Sequence, residues 1–371
     1  MGCVRLIHCA DLHLGARMTA NLDAKRAKER REELLAMLDR IVRVALEREA
    51  KAILLVGDLF DTERVTVSTR RYVGQLISEH SELYFIYVSG NHDREVLPLF
   101  DEDRLPTNWI DLSGRGWSSV DLTEDGVALT VSGTSNLQYG DIYDTVPHAD
   151  GYHIVMLHGE ITAAAVAAQD TVSLSRLVGR GIDYLALGHE HSYRTDRLDA
   201  GGVWCYSGCP EGRGFDECGK KGVVLLEIRA PESGGKPRMT AEFLPIAKRT
   251  LHRLPVDVSA CTDTRDALRC VREAAAMIDP QDMLLAELVG QISPETSLDG
   301  GMLQTLLQEL YFCARVEDHT SLLLRAEDYR YDISLKGEFV RTVMAANLPQ
   351  STRDRIILCG LRALRGEEAE L

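Results

Sequence analysis

The stretch Val4-Arg-Leu-Ile-His-Cys-Ala-Asp11-Leu-His13-Leu-Gly15 decides how the rest of the chain is read. Val4 to Cys9 is a short apolar run, the pattern of a strand buried on both faces, and it leads into an Asp-x-His pair. The same arrangement returns four times. Ala52 to Val56 leads into Gly57-Asp58-Leu-Phe-Asp61, and Leu83 to Val88 into Gly90-Asn91-His92-Asp93. Ile154 to Leu157 leads into His158-Gly159, and Tyr184 to Leu187 into Gly188-His189-Glu-His191. Ligands of open α/β sheets gather beyond the carboxyl ends of the strands. Motifs far apart along the chain can therefore meet at one sheet edge.

Between these strands the pattern turns helical. Apolar residues at Leu34, Leu38, Ile41, Ala45 and Leu46 predict a helix over Arg31 to Ala50, and Val67 to Glu82 reads as the next crossover helix. Short alternating runs from Leu112 to Ser132 suggest antiparallel strands, notably Val127 to Val131. Val203 to Tyr206, Gly222 to Ile228 and Met239 to Leu244 continue in that style. The expected fold class is α/β, two packed sheets with helices outside, a four-layer α-β-β-α sandwich. Pro231 to Pro237 reads as a turn, and a domain boundary falls near Pro245 to Arg249. A small C-terminal α/β cap domain follows, with strands at Thr250 to Val258, Met283 to Ile292 and Ser321 to Arg325. Helices are expected at Asp263 to Ile278 and Asp299 to Ala314, and terminal helices at Gly337 to Ala346 and Ser351 to Leu364. The resulting domains are 1–247, 248–335 and 336–371.

Composition narrows the class. At 371 residues two domains are expected, and 45% hydrophobic with 27% charged residues is ordinary for a soluble protein. No apolar run approaches bilayer length, and the N-terminus enters a strand too soon for a signal peptide, so a cytoplasmic protein without membrane contact is expected. Leu6 stands where N-myristoylation expects Ser or Thr. The 9 cysteines form no C-x-x-C pair, and the loose group Cys205, Cys209 and Cys218 has the wrong spacing for zinc. Reduced thiols are expected.

Charge is less accommodating. The 42 Lys+Arg against 57 Asp+Glu give a net −15, awkward for a nucleic-acid binder because phosphate contacts dominate affinity. Local patches could still hold phosphates: Lys25, Arg26, Lys28, Arg30 and Arg31, then Arg64, Arg70 and Arg71, and more weakly Lys220-Lys221 and Lys248-Arg249. A solvated helix face is the alternative.

The motifs name a chemistry. Asp, Asn and His donors without thiolate suit two divalent metal ions, manganese first, magnesium or iron otherwise. Such a pair clamps the attacking and departing oxygens of a phosphate ester, and Asp58 is the candidate bridge between them. His92 directly follows Asn91 and is the candidate proton donor, with Asp61 accepting a hydrogen bond from it. Each motif alone is weak. All five in order, each behind a strand, are not. His8, His80, His148, His153, His252 and His319 are read as surface or core residues.

This set resembles the calcineurin-like metallophosphoesterase superfamily. Asp11 to Gly15, Gly57 to Thr62, Gly90 to Asp93 and the segment Tyr206-Ser-Gly-Cys-Pro-Glu-Gly-Arg-Gly-Phe215 look like the SbcD family of DNA-repair nucleases and its YhaO-type relatives. The resemblance implies one metal on Asp11, His13, Asp58 and His191, and another on Asp58, Asn91, His158 and His189. It further implies a manganese-dependent exonuclease or endonuclease acting on DNA, working as a homodimer with an SbcC-like coiled-coil ATPase. The partner would dock on Gly337 to Leu364 through Phe339, Val343, Ile356, Ile357 and Leu361; ordinary closure of the cap by these helices is the alternative. Two other readings stand beside this one, a phosphoesterase for small molecules or nucleotides, and a DNA-binding scaffold subunit whose metals are structural.

Overall fold

The computed structural model describes residues 2–364, apart from 19–21, 62–64, 94–99, 101–104, 138–139, 165–169, 231–236, 295 and 324–328. The chain divides into two compact units, Met1–Thr250 and Leu251–Leu371.

The first unit opens as alternating strands and helices: β1 Cys3–Cys9, α1 Ala24–Glu47, β2 Ala52–Val56, α2 Val67–Glu79 and β3 Tyr84–Val88. Shorter strands follow, β4 Trp109–Asp111, β5 Ser118–Asp121, β6 Leu129–Gly133, β7 Tyr152–His158, β8 Glu160–Thr162 and β9 Thr171–Ser173. One helical turn, α3 Leu174–Leu177, leads to β10 Tyr184–Gly188, β11 Arg194–Arg197, β12 Val203–Tyr206, β13 Gly222–Arg229 and β14 Arg238–Pro245.

Two six-stranded sheets result, ordered β14-β13-β1-β2-β3-β4 and β11-β12-β10-β7-β6-β5. In the first, β1 to β4 run parallel. In the second, β12, β10, β7 and β6 run parallel, with β11 and β5 antiparallel at the edges. The antiparallel style expected for Val127 to Val131 and Val203 to Tyr206 holds against their edge neighbours β5 and β11, while on the other side β6 and β12 run parallel to β7 and β10. The connection from β6 to β7 passes through a 3-10 turn, Gly140–Thr145, rather than a striped helix, so the usual mark of a parallel crossover is missing from the sequence.

Alternation along each strand builds the layers. Val4 and Leu6 of β1 join Ile154 and Met156 of β7 and Ala186 of β10 in the core between the sheets. Ile7 and Cys9 face the other way, onto Leu34, Leu38 and Ile41 of α1 and Val73 and Ile77 of α2. On the far side, Val155, Leu157, Leu185 and Leu187 pack with Tyr143 and Leu177. The order is helix, sheet, sheet, helix, the expected sandwich.

Helix α1 starts at Ala24, capped by Asp23, whose carboxylate accepts from Arg26 N at 2.8 Å. The apolar stripe misses this first part because Arg30 occupies an inward position there, fully buried.

The second unit contains β15 Leu251–Asp257, α4 Thr264–Ala274, β16 Met283–Val289, β17 Gln291–Ile292, α5 Gly300–Gln308, β18 Cys313–Asp318 and β19 Ser321–Leu322. Strands β15, β16 and β18 form a parallel sheet. The helix expected over Asp299 to Ala314 ends at Gln308 instead, and Cys313–Asp318 is a strand. Its last four residues, Arg-Val-Glu-Asp, are too charged to read as buried, and only Cys313 and Ala314 are fully covered.

Helices α6 Leu335–Ala345 and α7 Gln350–Leu364 close this unit. Ile357 and Leu361 are buried against Val340 and Leu322, with Phe339 and Val343 packed on them. Four of the five residues expected to dock a partner are therefore spent on closing the unit; Ile356 alone is exposed. Among the described residues no helix is long and apolar enough to cross a membrane.

Candidate metal centre

Each motif sits just past the carboxyl end of a parallel strand, and backbone hydrogen bonds carry the ladder into the loops. Asp11 N donates to Gly57 O at 3.1 Å and His13 N to Asp58 O at 2.9 Å, so the first two motifs continue side by side beyond β1 and β2. The Asp93 carboxylate accepts from Leu59 N, Phe60 N and Gly90 N at 3.0–3.1 Å, which ties the second motif to the third. The two sheets join here as well: His189 N donates to both carboxylate oxygens of Asp11 at 3.0 and 3.1 Å.

Glycines make the crowding feasible. A Cβ on Gly57 would lie 2.1 Å from His158 Nδ1, and one on Gly90 would lie 2.1 Å from Asp58 Oδ1. The backbone is also bent into unusual regions. Asp11, His13, Asp58 and His189 all have positive φ, 55°, 45°, 49° and 108°. Each such conformation costs about 1–3 kcal/mol and persists only where surroundings enforce it. Four strained residues in one place mark a site built for something other than stability.

The side chains converge. Asp58 Oδ2 is 3.3 Å from His158 Nε2 and 3.8 Å from His13 Nε2. His158 Nε2 is also 3.1 Å from Asn91 Oδ1. On the other side His13 Nε2 and His191 Nε2 face each other at 3.3 Å, and Asp11 Oδ1 is 3.9 Å from His191 Nε2. Three overlapping sets, Asp11–His13–His191, His13–Asp58–His92 and Asp11–Asp58–His158, each place their ligand atoms within 4.8 Å of one another. The His189 ring stands edge-on to that of His158, with centroids 5.5 Å apart.

The outer nitrogens explain why these Nε2 atoms point inward. His158 Nδ1 lies 3.0 Å from Val56 O, and His92 Nδ1 2.9 Å from Asp61 O. His191 Nδ1 lies 2.7 Å from Glu217 Oε1, and His13 Nδ1 3.4 Å from Asp61 Oδ1. An oxygen acceptor at Nδ1 calls for the proton there and leaves the Nε2 lone pair free, the arrangement metal-binding imidazoles use. These donors fit divalent cations: carboxylates, an amide oxygen and prepared imidazoles, with no thiolate among them. His92 does meet Asp61, but through the main-chain carbonyl; the Asp61 carboxylate is turned to His13 and Arg213.

Electrostatics agree with this donor set. Burial disfavours charge on Asp58, yet hydrogen bonding to His158 and His92 N holds it well below the usual carboxylate range. Burial also opposes charge on His158, but Asp58 and Asp11 overcome it and push that imidazole up to about 9. Asp11, with no imidazole as close, is pushed up to about 6 by burial. Paired carboxylates strong enough to hold a proton on a buried imidazole would hold a cation.

Sequence reading missed several members. Asp93 lay inside a motif without a role. Arg213 fell in the quoted 206–215 segment, and Glu217 just beyond it. A charged pair four residues apart in a glycine-rich loop was the available signal. The basic patches fare worse. Arg30 is buried against Glu33 and Glu211, Arg249 against Glu29 and Glu33, and Lys221 donates to His191 O. None of the three is on offer to phosphate. Lys25, Lys28, Arg31, Arg71, Lys220 and Lys248 remain exposed. Arg64 and most of the expected 231–237 turn lie outside the described residues.

Comparison with known proteins gives these features a setting. Residues 4–193 match the family model described as calcineurin-like phosphoesterase. The chain is 26% identical to the DNA double-strand break repair protein Mre11 of Haloferax volcanii, over 96% of this chain and 74% of that one. It is 27% identical to the protein so named in Sulfolobus acidocaldarius, over 61% of this chain and 60% of that one. For the Aeropyrum pernix protein the identity is 23%, over 68% and 64%. The chain thus spans just under two thirds of the last two relatives.

Proposed function

The chain belongs to the calcineurin-like phosphoesterase family, and we propose that it is a two-metal phosphodiesterase that cuts DNA. One observation carries this reading: the Nε2 atoms of His13, His158 and His191 gather around Asp11 and Asp58, with the Nδ1 atoms of His158 and His191 held by oxygen acceptors and that of His13 facing Asp61 Oδ1 at 3.4 Å. Homology to archaeal Mre11 proteins supports DNA as the substrate.

We assign one metal to Asp11, His13, Asp58 and His191, and the other to Asp58, Asn91, His158 and His189, with manganese the preferred ion. Bound there, the pair would supply an activated water and neutralise charge on the phosphoryl oxygens. The protein's part is positional. Asp58 is held by His92 N at 2.9 Å, so the shared carboxylate and the catalytic imidazole share a backbone anchor. With Nδ1 donating to Asp61 O, exposed His92 can present Nε2 to the departing oxygen and protonate it. The strained backbones of Asp11, His13 and Asp58 keep these groups in place before substrate arrives.

The resemblance to SbcD-type nucleases supports an SbcC-like ATPase partner and a homodimer. Tight DNA binding by a chain of net charge −15 favours such a partner, the more so because Arg30, Lys221 and Arg249 are committed to internal contacts. The test compares hydrolysis of linear DNA and of an aryl phosphate, with manganese and with chelator. DNA degradation that needs manganese is expected. Activity confined to the aryl phosphate would remove DNA as substrate, and activity that survives chelation would remove the metals.

A further inference from the structure

Two charged side chains outside the five motifs reach the centre from the loop between β12 and β13. Glu217 is only 5% exposed, and its carboxylate accepts from Arg213 N and Arg213 Nη2, both at 2.7 Å. The same Oε1 lies 2.7 Å from His191 Nδ1. From the other arm of its guanidinium, Arg213 Nη1 donates to Asp61 Oδ1 at 3.1 Å, and that oxygen faces His13 Nδ1 at 3.4 Å. Glu217, Arg213 and Asp61 therefore form one continuous chain. It hydrogen-bonds the outer nitrogen of His191 and brings a carboxylate oxygen to 3.4 Å, ion-pair distance, from that of His13; the Nε2 atoms of these two imidazoles oppose each other at 3.3 Å.

The polarity of this chain is fixed by chemistry. A carboxylate only accepts and a guanidinium only donates. Arg213 Nη2 also lies 3.2 Å from His191 Nδ1, but it donates to Glu217 Oε1 at 2.7 Å, so the equally short Glu217–His191 contact places the proton on Nδ1 and leaves the Nε2 lone pair facing the centre. The loop carrying the chain is itself anchored, since Arg30 donates to Glu211 Oε1 at 3.0 Å and to Gly212 O at 2.6 Å. His158 lies outside this arrangement, its Nδ1 being held by Val56 O.

We propose that Arg213 and Glu217 are positioning residues for one metal only, the one assigned to Asp11, His13, Asp58 and His191, and that they set its affinity independently of the other. This deepens the two-metal reading and rests on it. Arg213 orients two imidazoles at once through two carboxylates, a task that needs its planar fork and that lysine cannot reproduce.

The experiment is a calorimetric titration of the full-length protein with manganese, for wild type, Glu217→Gln, Arg213→Lys and Arg213→Met. Wild type should bind two ions. Glu217→Gln and Arg213→Met should keep one of these affinities and lose about 10- to 100-fold in the other, the usual scale for outer partners of metal ligands. Arg213→Lys should fall between. A second readout needs no metal: nitrogen-15 spectra of the imidazoles should show the His191 Nδ1–H signature in wild type and its alteration in Glu217→Gln, with that of His158 unmoved. Equal losses at both positions, as a merely structural loop defect would give, overturn the proposal, and so do two unchanged affinities. A wild-type protein that binds fewer than two ions overturns the two-metal reading itself.

Discussion

The two halves of the metal centre both use imidazoles and hold them differently. His158 and His92 lean on main-chain carbonyls, Val56 O and Asp61 O. His13 and His191 lean on carboxylates, Asp61 and Glu217, themselves tied together by Arg213. A carbonyl partner comes with the fold, because Val56 ends β2 in the middle of a buried parallel sheet. A carboxylate partner comes from a particular residue. The first kind survives almost any substitution that leaves the sheet intact, whereas the second can be tuned or lost by changing one side chain.

Asp58 belongs to both halves, so changing it should erase the contrast. It contacts His158 on one side and His13 on the other, and anchors His92 N. Asp58→Asn should lower metal content at both positions, measured by elemental analysis of purified protein. Turnover should fall further than the roughly 100- to 1000-fold that follows loss of a single charge-stabilising donor. Retention of one full equivalent of metal would show that the halves do not share this carboxylate.

His92 separates chemistry from binding. His92→Ala should leave metal content unchanged and lower turnover by about 100-fold or more, the range of acid–base contributions. An unchanged rate constant would take the proton-transfer role away from it.

The contrast also explains what the sequence allowed one to read. Asp11, His13, Asp58, Asn91, His158, His189 and His191 stood out because each follows a buried strand at once, and strand ends in a parallel sheet share an edge. The carbonyl partner Val56 O needed no reading, since it ends β2, and Asp61 O came with a residue already inside the second motif. Glu217 and Arg213 follow no strand pattern, and a buried carboxylate looks like any surface Glu until its partner is known. Arg30 shows the converse. It sits where the stripe of α1 calls for an apolar residue, and its charge is met by Glu33 and Glu211, so periodicity started the helix late and composition counted a buried cation as a surface one. Strand Cys313–Asp318 was lost for a related reason, as Arg315, Glu317 and Asp318 mask a strand that pairs with β16.

Protons sharpen the comparison next. Asp58 and Asp11 push His158 up to about 9 against the effect of burial. A cation taking its Nε2 must displace that proton, so apparent affinity at this position should rise about tenfold per pH unit up to about 9 and then level. At the other position the competing proton is that of Asp11, raised by burial to about 6, so affinity there should fall as pH drops below about 6. Chelator-treated protein should behave in the opposite sense. A folded-state value raised above the ordinary 6.5 contributes stability that is complete below 6.5 and is lost as pH climbs through about 9. Manganese titrations and thermal melts over pH 5.5 to 9.5, run side by side, would check both signs. A flat affinity across this range would mean that His158 carries no proton to displace.

The smallest expected effect is the most discriminating. Asp61 serves both halves by different atoms, its carbonyl holding His92 and its carboxylate facing His13 and Arg213. Asp61→Asn leaves the carbonyl in place and keeps an oxygen that can still accept from Arg213, but removes the charge beside His13. Metal affinity at the His13 position should therefore weaken by about tenfold, the lower end for an outer partner. Turnover at saturating manganese should change little, and so should the acid limb of its pH profile, because His92 keeps its acceptor. If instead the saturated rate collapses toward that of His92→Ala, the carboxylate and not the carbonyl governs the His92 imidazole. The division between fold-held and side-chain-held nitrogens would then fail at the one residue that spans it.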